Sequence, residues 1–156
     1  MSIHGLNISP PAGFDVSEVM VTLRGPSVQA LHEPRARQSQ HPIRANLIVH
    51  RRTLPSSASL DLLCGEACAE LLSSVDQLTN LETGGFTFSD GADGRVIQFD
   101  FSAGPAATVR QFQVLRLDGD TFSTLTLTVN RSTLTDELRD HYFASLQTLG
   151  SPGDRP

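Results

Sequence analysis

The side chains best suited to chemistry in this 156-residue chain are scattered along it rather than gathered in a motif. His50 precedes Arg51 and Arg52, which sets an imidazole beside two fixed cations, an arrangement suited to proton transfer near an anion. No carboxylate shares that motif, and a histidine at a strand end more often serves structure or faces water. Asp100 stands between Phe99 and Phe101. A buried carboxylate there would be chemically unusual, but alternation along a strand turns it away from both rings and towards solvent. Cys64 and Cys68 lie four apart in a helical pattern, poorly placed for a disulfide and without two further ligands at metal-binding spacing. Asp118-Gly119-Asp120 resembles a calcium-loop fragment, and a tight turn explains it better. Gly84-Gly85 is not a phosphate-binding loop, since no lysine follows. No nucleophile elbow, zinc-protease helix or EF-hand loop is present. These residues predict a protein that is not an enzyme, with no cofactor and no metal.

The elements that must position any site centre on Thr108 to Val129, two alternating strands joined at Asp118-Gly119. A two-residue turn there predicts Gln113 opposite Thr124, Gln111 opposite Thr126 and Leu115 opposite Phe122. One face then carries Phe112, Val114, Leu125, Leu127 and Val129, an ordinary core face. The other carries Gln111, Gln113, Thr124, Thr126 and Thr128, edged by Leu115 and Phe122. This row is uncharged and able both to donate and to accept hydrogen bonds. It suits a binding surface, although threonines also simply suit strands.

Around this hairpin, Ile3, Leu6 and Ile8 suggest a short first strand, and Glu18 to Leu23 a second. The stretch from Gly25 to Ile43 loses periodicity, as a binding lip or a disordered loop does. Arg44 to Arg51 reads as an interior strand, and Ser59 caps a helix running to about Ser73. Leu78 to Phe88 reads as a strand bent at Gly84-Gly85, and Arg95 to Phe101 as a strand with Ile97, Phe99 and Phe101 on one side. Ser132 or Thr133 caps a last helix whose stripe is Leu134, Leu138, Tyr142, Leu146 and Leu149. The expected fold is α+β: a single antiparallel sheet of about six strands, with both helices packed on one face. Residues 1–149 form one domain, and 150–156 a disordered tail.

The chain carries a net charge of −5, and all 12 of its basic residues are arginine, a bias expected of a GC-rich bacterial genome. The acidic balance argues against nucleic acid as a partner. The absence of both a secretory pattern and a long apolar run predicts a cytoplasmic protein without stable membrane insertion.

The order of these segments resembles the DcrB-related family, of PsbP-like fold, and within it the Eag chaperones of bacterial type VI secretion. The matching stretches are P-A-G-F-D from Pro11, R-A-N-L-I-V-H-R-R-T-L-P from Arg44 and S-L-D-L-L from Ser59. R-Q-F-Q-V-L-R-L-D-G-D from Arg110, T-L-T-L-T from Thr124 and H-Y-F-A-S-L in the last helix complete them. The arginine-bearing loop before Arg44 departs from the compact form of that subgroup. The resemblance implies a homodimeric chaperone that shields the apolar N-terminal helices of a secreted effector. It implies Gln111 and Gln113 as the chief client contacts, joined by Leu115, Phe122, Thr124 and Thr126 and by Val19 and Val21 of the early strand. The alternative is a structural or protein-binding adaptor on the same fold.

Overall fold

A computed structural model of the chain describes residues 2–3, 6–7, 18–24, 45–55, 57–104 and 107–149. The loop expected at 25–43 and the tail at 150–156 lie outside the described residues. Two short strands, β1 (Ser2–Ile3) and β2 (Leu6–Asn7), pair with each other. The main sheet is antiparallel and six-stranded, in the order β3 (Glu18–Arg24), β4 (Asn46–Thr53), β8 (Thr121–Asn130), β7 (Thr108–Asp118), β6 (Asp93–Ser102), β5 (Thr79–Thr87). Helix α1 (Leu60–Ser74) falls between β4 and β5. A 3₁₀ turn (Arg131–Thr133) and helix α2 (Asp136–Leu149) follow β8. This is the expected α+β architecture.

The two helices, however, cover opposite faces. Phe86, Phe88, Phe112, Val114, Leu125, Leu127 and Val129 form one core with Leu146, Tyr142 and Phe143 of α2, and Phe143 meets Phe112 edge-on with centroids 5.2 Å apart. Ile97, Phe99, Leu115 and Phe122 form a second core with Leu63, Cys64 and Leu71 of α1. The reason is register. β6 pairs with β7 so that Ile97 stands beside Gln113 and Phe99 beside Gln111. The uncharged row of β7 therefore continues into an apolar row on β6. That row needs its own cover, and one helix cannot serve both faces.

The central hairpin keeps its two-residue loop but moves it by one position. Gly119 and Asp120 are the loop, and Asp118 pairs with Thr121. Gly119 has φ +63°, the positive value required at the first loop position of a type II′ turn. Gln113 consequently pairs with Thr126, Gln111 with Thr128, Leu115 with Thr124, and Leu117 with Phe122. Each pairing differs by two residues from the expected one, so every side chain keeps its predicted face.

Two local expectations also move. The irregularity in β5 lies between Thr79 and Glu82, not at Gly84-Gly85, and Asn80 takes φ +53° there. The cap of α2 is Thr135, whose hydroxyl accepts from the Leu138 amide at 3.1 Å, while Asn130 caps the 3₁₀ turn. Ser59 caps α1 as expected, accepting from the Leu62 amide.

Candidate functional site

A groove of about 470 Å³ runs between α1 and the sheet on the α1 face. Its floor is Gln113 and Leu115 of β7 with Phe122, Thr124 and Thr126 of β8. One wall is Ile48, His50 and Arg52 of β4; the other is Leu63, Glu66, Ala67 and Glu70 of α1. Sheet register builds the first three rows. Ile48 pairs with Thr126, His50 with Thr124 and Arg52 with Phe122, so alternate residues of β4, β8 and β7 share one face. The helix wall follows from the stripe of α1, where Leu63, Ala67 and Leu71 turn towards the sheet and carry Glu66 and Glu70 to its edge.

Five of the eight residues expected to bind a client line this groove: Gln113, Leu115, Phe122, Thr124 and Thr126. Gln111 stands beside it as a support. Its amide donates to the Thr128 hydroxyl at 2.9 Å, and its carbonyl accepts from the Gln113 amide at 3.4 Å. Gln113 is thereby oriented with its own carbonyl turned away from that bond, while its neighbours Thr124 and Thr126 remain half-buried. Val19 and Val21 lie on β3, whose backbone pairs them with Arg51 and Val49 of β4. Loose alternation from Glu18 to Leu23 could not settle that register.

Sequence reasoning missed β4 and α1 as walls. The pairing of β4 with β8 is long-range and leaves no local mark. The helix wall had a signal in Glu66 and Glu70, one turn apart and flanking an apolar stripe. The groove also unites His50 with carboxylates, which its catalytic reading required. His50 stands on the β4 wall of the groove and the two glutamates on the α1 wall that faces it.

Two arginine clusters lie away from the groove. Asp100 is buried rather than outward-facing, because the α2 face is covered too. Its carboxylate accepts from Arg110 Nε and Nη2 at 2.6 and 2.7 Å and from Asn80 at 2.8 Å, with Arg131 at 3.7 Å. The Arg110 bonds hold its pKa below the usual carboxylate range against the opposing effect of burial, and Asn80 adds to them. Arg116, 2% exposed, donates to Asp90 and Asp118 and lies 4.8 Å from the Phe88 ring centroid. These pairs raise its pKa, the Asp90 bond most. In both clusters every charged group has at least one ion-pair partner, as buried charges require.

Cys64 and Cys68 are free thiols facing a second cleft, with Asp61, Gly65, Thr83, Gly84, Gly85 and Arg95. Burial, and then the neighbouring Cys68, push the Cys64 thiol up. Among the described residues, no three of His, Cys, Asp and Glu gather as a metal site, and no helix is long and apolar enough to cross a membrane.

No family model matches the chain, and no curated protein does. Among solved structures, it is similar to the crystal structure of PA94 from Pseudomonas aeruginosa, a protein of unknown function suggested to be a regulator. The likeness has a TM-score of 0.66 at 13% identity and covers 100% of this chain and 96% of that one. At such identity it establishes the α+β fold alone, an open antiparallel sheet with two helices.

Proposed function

We propose that this chain is a cytoplasmic chaperone or adaptor that holds an apolar helical segment of a partner protein. The expected partner is a type VI secretion effector, bound near its N-terminus by a homodimer. One observation carries the reading: the groove has a floor of Leu115 and Phe122 interleaved with Gln113, Thr124 and Thr126, and no charge on that floor. Leu115 and Phe122 offer apolar contact, and the amide and hydroxyls offer partners to small polar groups on an otherwise apolar helix. Such a helix carried through water needs both, because a polar group buried without a partner is costly.

Width agrees with this occupant. From β7 across β8 to β4 the floor spans two inter-strand spacings, roughly 10 Å. One α-helix with its side chains is about 10–12 Å across. The groove therefore suits a single segment and not a broad protein surface.

The test is co-expression with a large effector encoded beside this gene, followed by affinity purification and light scattering. The expected result is a complex with two copies of this chain that depends on the effector's apolar N-terminal helices and is weakened by Gln113→Ala with Thr126→Ala. An effector that is equally soluble alone, beside a monomer of this chain, overturns the reading.

A further inference from the structure

The groove has walls of opposite charge. Helix α1 carries Asp61, Glu66 and Glu70 and no basic residue. Asp61 is matched by Arg95 at 2.8 Å, on the side away from the groove. Glu66 and Glu70 stand on the groove wall, and no ion pair to either is found among the described residues. Two like charges one turn apart work against the helix, and a carboxylate in its second half opposes the macrodipole. Local stability would favour arginine at either position. The wall on β4 has the opposite sign, with Arg52 lying 5.5 Å from the Phe122 ring centroid beside His50. The floor between the walls is neutral.

Resting on the client-binding reading above, we infer that the groove selects an apolar helix carrying arginine or lysine on one flank, seated with that flank against Glu66 and Glu70. The complementarity is directional. A cation on the α1 side meets two carboxylates spaced one helical turn apart, the spacing of side chains four residues apart on the client. A cation on the β4 side meets Arg52 and is repelled. The charge pattern therefore fixes which side of the client faces α1, while the uncharged floor tolerates sequence variation along its apolar face. Apolar spans commonly carry arginine and lysine at their ends, so the pattern has abundant matches.

The experiment compares three fluorescent synthetic helices of the same leucine, alanine and serine sequence. They end in two lysines, two glutamines or two glutamates four residues apart. Binding to the full chain is followed by anisotropy at low salt and at 0.5 M NaCl. The lysine helix is expected to bind about threefold to tenfold more tightly than the glutamine helix, and the glutamate helix more weakly than either. The lysine advantage should vanish in Glu66→Gln with Glu70→Gln, and shrink at high salt. Both positions are exposed, and a thermal melt checks that the variant is folded. Equal binding of all three helices overturns the charge selection and leaves the chaperone reading standing. Binding of none overturns both.

Discussion

Removing the Asp100 carboxylate should destabilise the fold by an amount that the geometry allows to be worked out. Asp100 is 3% exposed and accepts three hydrogen bonds, two from Arg110 and one from Asn80. Asp100→Ala leaves the Arg110 side chain, 14% exposed, without its partner. Breaking a buried pair costs about 3–5 kcal/mol, and the residual solvent access of Arg110 places this one near 3 kcal/mol. Arg131, 47% exposed, adds little. For a chain of this length the loss corresponds to a Tm lower by about 6–12 °C. Asp100→Asn keeps the shape and one acceptor, so it should cost roughly half as much.

The pH dependence provides the stricter test. The folded pKa of Asp100 lies below its ordinary value, so the unfolded chain takes up the proton first as pH falls. The contribution is fully present above about pH 4, the unfolded value, and is lost as pH falls through the folded one. Urea denaturation of wild type and Asp100→Asn between pH 7 and pH 3 should show a gap that is constant down to about pH 4 and then narrows. A gap that widens in acid, or a cost of Asp100→Ala below about 1 kcal/mol, would refute the account of this cluster.

Gly94→Ala should destabilise by about 1–3 kcal/mol through overpacking. An added Cβ would meet the Phe88 ring at 2.7 Å and the Leu115 carbonyl oxygen at 2.9 Å, and a backbone oxygen within a central sheet cannot yield easily. A thermal melt indistinguishable from wild type would contradict this. Ser59→Ala removes the acceptor of the Leu62 amide at the start of α1 and should cost about 1 kcal/mol, read as a lower urea midpoint. An unchanged midpoint would mean the cap contributes nothing.

Much of the fold was legible because its signals are local. Alternation in β7 and β8 separates the Gln/Thr row from Phe112, Val114, Leu125, Leu127 and Val129 on the correct faces, and Ser59 with the stripe Leu63, Ala67 and Leu71 places α1. What escaped depends on relations between distant segments. The hairpin loop lies one residue beyond the expected Asp118-Gly119, because Gly119 with its positive φ takes the first loop position and Asp118 stays in the ladder. The bulge expected at Gly84-Gly85 occurs instead near Asn80, whose left-handed backbone accompanies a side-chain amide bond to Asp100, 20 residues away. The register of β3, in which Val19 and Val21 pair with Arg51 and Val49, is likewise a long-range relation that loose local alternation does not reveal.

The placement of α1 changes what the Gln/Thr row is able to bind. With both helices on the far face, the row would form an open sheet surface, suited to another sheet or to the flat side of a folded domain. The pairing of Ile97 and Phe99 with Gln113 and Gln111 requires a helix over β6 and β7 instead. That helix turns half of the face into core and leaves the remainder as a strip bounded by Glu66 and Glu70 on one side and by Arg52 on the other. A strip of that width excludes a second sheet, whose packing needs an uninterrupted face about 10 Å from its partner. Its width would fit one helix or one extended segment. The uncharged floor then separates those two: an extended segment would leave its own backbone amides to be matched by few side chains, whereas a helix satisfies its backbone internally and asks only for contact and an occasional hydroxyl partner.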